Sequence, residues 1–230
     1  MPGFDIITIF PDFFPGPLAA GVLGKAIERG LLDVRVHDLR AYTDDSYRST
    51  DDYPYGGGVG MVMKPEAFFR AVEDVEARFG PGWKIFLTPQ GRPLGHDGCK
   101  ELAAREHVIL LCGRYKGVDE RVREALVDEE ISVGDFVMSG GEIGALAVVD
   151  AAARFVPGVL GDEDSAATDS FATGLLDHPH YTRPREFRGM EVPEILLSGN
   201  HGAIEKWRAE EALKRTREAR PDMLEGREDE

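Results

Sequence analysis

Three short glycine-bearing segments carry the residues best suited to chemistry: TPQGRP (88–93), CGRYKGVDER (112–121) and SVGDFVMSGGE (132–142). Each leaves an apolar run that reads as a strand, and glycine there lets a second molecule approach the backbone. The amides and carbonyls so exposed can fix a polar ligand without long side chains. One such segment is weak evidence; three, each after a predicted strand, point to a pocket at the carboxyl edge of a sheet. A fourth, DDYPYGGGVGMVM (51–63), lacks the Lys-Ser/Thr ending of a phosphate loop, which argues against nucleoside-triphosphate binding. It reads equally as a flexible loop or as the wall of a ligand or partner site.

Outside the loops, Asp169 and Arg154 are the residues able to move a proton and to steady a developing negative charge. Spacing alone favours simpler uses: Asp169 as the N-cap of a helix over SFATGLL, and Arg154 as a surface residue. His178 and His180 suggest a metal pair, but the ligand set is too small, and no metal site is expected. Cys99 and Cys112 cannot form a disulfide framework and read as packed thiols.

The elements that must position these residues alternate along the chain. Strands are expected over Phe4–Phe10, Asp33–Leu39, Trp83–Pro89 and His107–Gly113, with a short strand region in EISVGDFVMSG. Helices are expected from Pro17 to about Arg29, over 65–80, 96–106, 118–130 and 142–156. Near-continuous apolar strands alternating with helices predict an α/β domain with a parallel sheet covered on both faces. That domain is expected to span 1–156. From Pro157 the composition shifts to a segment poor in large apolar residues, predicting a flexible linker over 157–180 and a small helical domain over 181–230. HGAIEKWRAEEALKRTREARPDML contains a basic amphipathic helix, and the EGREDE tail reads as solvated.

The 27 Lys and Arg against 42 Asp and Glu give a formal net charge of −15, which argues against non-specific nucleic-acid binding. Any polyanion would have to be held by local clusters: Arg183, Arg185 and Arg188, and the basic residues from Lys206 to Arg220. MPGFDIITIF lacks a basic start and is too short for a membrane span, so the chain reads as cytoplasmic. A non-catalytic RNA-binding protein would need the basic clusters but not three loops and Asp169. A nucleotide-using metabolic enzyme would need a phosphate-gripping cation beside a glycine loop, for which Lys64 and Lys116 are the nearby lysines.

YPYGGGVGMVM, PQGRPL, LLCGRYKGVDERV, SVGDFVMSGGE, RFVPGVLG, DSFATGLLDHPHYTRP and VPEILLSGNHGAIEKWR, in this order, closely resemble the bacterial tRNA (guanine-N1)-methyltransferases. The resemblance runs from ITIFPDFF to KRTREARPDML and is specific, because several long, independent motifs keep the family's order. It implies a SPOUT-type α/β domain with a deep trefoil knot and a C-terminal helical domain that helps grip tRNA. It also implies an obligate homodimer whose active sites are shared between subunits, S-adenosylmethionine bound in the knot, and Mg²⁺ dependence. Carried over residue by residue, the cofactor would meet Thr88, Pro89, Gln90 and Gly91; Gly113, Arg114, Tyr115 and Gly117; and Ser132, Val133, Gly134, Phe136, Met138, Gly140 and Gly141. Asp177, Arg183, Arg185 and Arg188 would contact the tRNA anticodon stem-loop, whose guanine 3′ of the anticodon (position 37) is the implied target.

Guanine N1 bears a proton at neutral pH, so methylation there needs a base on N1 and support for charge gathering on O6. Asp169 and Arg154, from opposite subunits, are the expected pair, the linker ordering around tRNA to bring Asp169 in. Two departures stand out: Lys116 occupies a position where the family usually has Glu, and the chain ends soon after RPDML, which predicts a smaller helical domain.

Overall fold

Phe4, Ile6 and Ile7 have no solvent exposure in β1 (Gly3–Thr8), which therefore lies inside a sheet rather than at its edge. The computed structural model describes residues 1–161 and 168–225. By internal contacts the chain forms two units, residues 1–161 and 162–230.

In the first unit, β2 (Asp33–Asp38), β1, β6 (His107–Cys112), β5 (Trp83–Pro93) and β7 (Glu129–Ser132) form one sheet in the order β2-β1-β6-β5-β7, while β3 (Asp51–Asp52) and β4 (Val62–Met63) pair separately. Every neighbouring pair is parallel, as near-continuous apolar strands require. Alternate residues of β1 feed opposite faces. Phe4 and Ile6 pack with Leu23 and Ala26 of α2 (Gly21–Glu28), Leu102 of α4 (His96–Ala103), and Val148 and Val149 of α6 (Glu142–Ala153). Ile7 packs with Phe68, Ala71, Val72 and Val75 of α3 (Pro65–Phe79) and Val122 of α5 (Glu120–Leu126). Burying side chains as fully as Val148 and Val149 stabilises by about 1.5–3 kcal/mol each.

The structure differs from the sequence reading at three places that have local causes. The helix expected from Pro17 to Arg29 is broken into α1 (Pro15–Leu18) and α2, because Gly21 takes φ +64°. The helix expected over 118–130 shortens to α5: Asp119 caps its start through Arg121 N, and Val127 is already extended ahead of β7. The strand expected to stop at Pro89 continues to Pro93, and Leu87 and Arg92 both face Ile131 of β7. Thr88–Gly91 is therefore a bulge within one strand rather than the loop after it. Gly91 is required where β5 passes β7, since a Cβ there would lie 2.5 Å from the Ile131 nitrogen.

A buried carboxylate sits at the heart of the β2–β1–β6 triplet. Asp5 is fully buried and meets Arg35 Nη2 at 2.5 Å, His37 Nε2 at 2.5 Å and His107 Nε2 at 2.6 Å. The parallel register places all three partners on its face: Asp5 opposes Arg35, Ile7 opposes His37, and Gly3 opposes His107. Burial alone would raise the Asp5 carboxyl, but the hydrogen bonds from Arg35, His37 and His107 outweigh it and hold it well below the usual carboxylate range.

The second unit holds a hairpin of β8 (Glu186–Phe187) and β9 (Met190–Glu191), and a long helix, α7 (His201–Ala219), capped by Asn200. Thr216 is the one fully buried residue of α7, so the helix is less amphipathic than its sequence suggests. Leu176 N donates to Thr216 Oγ1 at 2.9 Å and Arg215 Nη1 to the Asp177 carbonyl at 3.2 Å, which ties the stretch before Tyr181 to this helix. Of the segment expected as a linker, 157–161 belong to the first unit, where Val159 is buried, 168–180 belong to the second, and 162–167 lie outside the described residues.

Removing the Asp5 carboxylate leaves the Arg35 guanidinium and the two imidazoles without their shared buried acceptor, so Asp5→Ala should cost about 3–5 kcal/mol in urea unfolding at pH 7. Because its folded pKa is depressed, the carboxylate's stabilisation is complete above about pH 5 and fades as pH falls through the carboxylate range. Followed by NMR in the folded protein, the Asp5 carboxyl should remain ionised at about pH 3, where an ordinary aspartate is largely protonated. Gly91→Ala should destabilise by about 1–3 kcal/mol through overpacking. Gly16→Ala, where an added Cβ meets nothing within 4 Å, should stay within about 0.5 kcal/mol on the same assay.

Candidate functional site

Because β6, β5 and β7 are consecutive in the sheet, the segments at their carboxyl ends are forced together. They enclose a cleft of about 540 Å³. The bulge supplies Thr88, Pro89 and Gln90; the loop after β6 supplies Gly113, Arg114, Tyr115 and Gly117; the loop after β7 supplies Ser132, Val133, Gly134, Phe136, Met138, Gly140 and Gly141. Gly91 is the one member of the expected set outside the lining, its place being the crossing of β5 over β7. Leu87, Lys116 and Val137 also face the cleft; Lys116 stands out in the sequence beside its glycine loop, whereas Leu87 and Val137 have no signal in the sequence pattern.

Glycine recurs along the cleft wall, at Gly113, Gly117, Gly134, Gly140 and Gly141, and steric limits explain part of this. Gly141 N donates to the Gly113 carbonyl at 3.0 Å, and a Cβ on Gly141 would fall 2.8 Å from Cys112 Cα. Tyr115 is held at φ +60°, an uncommon conformation for a bulky residue that concentrates at functional sites. Cys112 itself is no nucleophile: burial pushes its thiol well above the ordinary range, and the Glu142 carboxylate adds to the shift.

The glycine-rich segment 51–63 is tied to this cleft at its carboxyl end. Lys116 N donates to the Met61 carbonyl at 3.0 Å, Met63 N to Gly117 O at 3.0 Å, and Asp119 N to Met63 O at 2.9 Å. Residues 61–63 thus run beside 116–119, while Tyr53, Tyr55 and Val59 remain exposed.

Beneath the loops lies an ion pair, Arg114 Nη2 to Glu142 Oε2 at 2.9 Å, with the carboxylate buried and the guanidinium partly so. Glu142 Oε1 accepts from Thr8 Oγ1 at 2.8 Å, and both residues are fully buried. Sequence reasoning passes over Glu142 because an acid in the first turn of a helix is already accounted for by the helix dipole.

The other expected residues are distributed over both units. Arg154 is exposed at the C-cap of α6 in the first unit. Asp169 is half-buried in the second, and 170–173 form turns rather than the helix that Asp169 was expected to cap; its carbonyl accepts from Ala172 N at 3.2 Å. Arg183, Arg185 and Arg188 are all exposed, Arg188 at the tip of the β8–β9 hairpin with φ +54° beside Gly189 at +77°.

Asp177 is a local hub. Its Oδ1 accepts from His178 N at 2.7 Å and its Oδ2 meets His180 Nε2 at 2.7 Å. Burial would raise its pKa, but the bonds from His180 and the His178 amide bring it below the usual carboxylate range. Fold geometry thus adds a carboxylate to the histidine pair, and the three ligand-type groups lie within 4.8 Å of one another. One carboxylate and two imidazoles do not suit Mg²⁺, which favours an octahedron of oxygens. Among the described residues no helix is long and apolar enough to cross a membrane.

Residues 3–226 match the family model for tRNA (Guanine-1)-methyltransferase TrmD. The chain is 54% identical over 221 residues to the tRNA (guanine-N(1)-)-methyltransferase of Geotalea uraniireducens (strain Rf4), covering 96% of this chain and 90% of that protein. It is 54% identical over 223 residues to the same-named protein of Geobacter sp. (strain M21), covering 97% and 90%. It is 51% identical over 224 residues to that of Halalkalibacterium halodurans (strain ATCC BAA-125 / DSM 18197 / FERM 7344 / JCM 9153 / C-125), covering 97% and 91%. The chain belongs to the tRNA (guanine-1)-methyltransferase family.

Proposed function

We propose, with that membership as premise, that this chain transfers a methyl group from S-adenosylmethionine to N1 of the guanine at tRNA position 37, 3′ of the anticodon. The observation that carries the reading is the convergence of the β5 bulge and the loops after β6 and β7 on one cleft. Its volume of about 540 Å³ lies within the range that takes a cofactor of this size. Its glycines would let adenine and ribose reach main-chain amides and carbonyls, and an acidic protein readily admits a sulfonium cation. When bound, the cofactor supplies an electrophilic methyl carried on that sulfonium.

The chain's own residues would do the rest. The Asp169 carboxylate takes the proton from guanine N1 as N1 forms its bond to the methyl carbon and the carbon–sulfur bond breaks, its electron pair returning to sulfur. The Arg154 guanidinium steadies the charge that gathers on O6. Asp169 and Arg154 belong to different units, and in this reading they come from opposite subunits of a homodimer. Phe13, Val137 and Ile143, large apolar side chains left exposed in the first unit, support a second copy covering them. The close passage of Gly141 against Gly113 and the bridge between Arg114 and Gly140 support a trefoil knot at the cleft.

Guanine 37 must leave its stack to be reached, which an anticodon loop permits. The exposed Arg183, Arg185 and Arg188 would hold phosphates, while the Asp177 carbonyl ties the segment ahead of them to α7 through Arg215. Residues 168–225 carry nine Lys and Arg against eleven Asp and Glu, so most of the acidity lies outside the part that would grip RNA. The donor set around Asp177 does not fit Mg²⁺, and no step is routed through a metal.

Asp169→Asn should lower turnover on tRNA by about 10³-fold or more while leaving S-adenosylmethionine affinity by calorimetry within about twofold. A large loss of cofactor binding would instead make Asp169 structural, and a methyl mapped to another atom or nucleotide would replace the assigned substrate. The Arg183→Ala/Arg185→Ala/Arg188→Ala triple variant should weaken tRNA binding and flatten the slope of log affinity against log salt by roughly 2–3 units.

A further inference from the structure

Glu142 has no role in the mechanism above, yet it is a fully buried charge directly under the cleft. Two separate pieces of backbone meet on it, and a third is held by its partner Arg114. Thr8, which ends β1, donates Oγ1 to Glu142 Oε1 at 2.8 Å, and the same hydroxyl accepts from Phe10 N at 2.9 Å. Arg114, in the loop after β6, brings Nη2 to 2.9 Å from Glu142 Oε2. Arg114 Nη1 donates to the Ser139 carbonyl at 3.2 Å, in the loop that enters α6, and the guanidinium lies 4.5 Å over the Phe10 ring.

The surroundings leave this guanidinium little alternative position. A Cβ on Gly140 would stand 2.1 Å from Arg114 Nε and 2.5 Å from Glu142 Oε2, so the glycine is what admits the pair. A buried ion pair contributes little net stability, because desolvating both charges offsets their attraction; breaking it by removing one partner is costly. What it supplies is geometry: one carboxylate sets the spacing of two loops otherwise joined by few main-chain bonds.

We propose that Glu142 is a positioning residue for the cofactor, holding Arg114 and, through it, the Gly113–Gly117 and Ser139–Gly141 walls at the separation the cofactor needs. Thr8 anchors the carboxylate to the end of β1. The inference rests on the assignment of the cleft to S-adenosylmethionine.

The test uses the full-length protein, with calorimetric binding of S-adenosylmethionine and steady-state methylation of tRNA. Glu142→Gln keeps the shape and an acceptor for Thr8 but removes the charge that orients Arg114. It should weaken cofactor binding and raise KM for the cofactor about tenfold, with KM for tRNA and kcat at saturating cofactor within about twofold. Thr8→Val keeps the ion pair but loses its anchor, and should shift the same two quantities about threefold. A folded Glu142→Gln protein that binds the cofactor within about twofold of wild type overturns the proposal, as does a fall in kcat with an unchanged KM for the cofactor. Should Glu142→Gln fail to fold, unchanged cofactor affinity in Thr8→Val overturns it instead. Wild-type protein that binds no S-adenosylmethionine refutes the assignment of the cleft, which is a separate failure.

Discussion

The cleft depends on one backbone crossing: the segment entering α6 passes the loop after β6 so closely that Gly141 N reaches the Gly113 carbonyl at 3.0 Å. No side chain fits between them, because a Cβ on Gly141 would press on Cys112 Cα. The crossing fixes the two loops against each other, and the glycines beside it leave room for a ligand to approach the main chain. Below the crossing, Arg114 and Glu142 fill the remaining space with a charge pair instead of apolar atoms. Such a pair tolerates few alternative arrangements, since displacing the guanidinium would leave the Glu142 carboxylate buried and unpaired.

The sheet brings this crossing into being by order rather than by any local preference. With β6, β5 and β7 adjacent, their carboxyl ends share one edge, and a bulge of four residues in β5 closes the third side. A bulge keeps the ladder on both sides while turning its extra residues outward. Thr88, Pro89 and Gln90 thereby reach the cleft while Arg92 and Pro93 return to pair with β7.

Charge is handled locally in both units. An acidic chain that acts on a polyanion has to separate its carboxylates from the surface that meets phosphate. Some carboxylates are consumed internally: Asp5 by Arg35, His37 and His107, and Glu142 by Arg114. The arginines from 183 to 188 stand exposed around a short hairpin, where their guanidinium groups are open to solvent. Asp177 shares its carboxylate between His180 and the His178 amide, which organises the segment ahead of those arginines.

By itself the amino-acid sequence determines the strands, because runs such as HVILLC leave no polar face and fit only a sheet covered on both sides. It determines the glycine segments at the strand ends, and its long ordered motifs carry the resemblance to the family. It does not reveal that TPQG is a bulge, since Leu87 and Arg92 reveal their common partner only when β7 is beside them. Nor does it separate Glu142 from any acid that opens a helix, or Asp5 from a stray charge in a strand. Their partners lie far along the chain, Thr8 being 134 residues from Glu142 and His107 102 residues from Asp5. Propensity and periodicity act over a few residues, whereas the meaning of a buried charge is set by whichever groups the tertiary fold brings within hydrogen-bond reach.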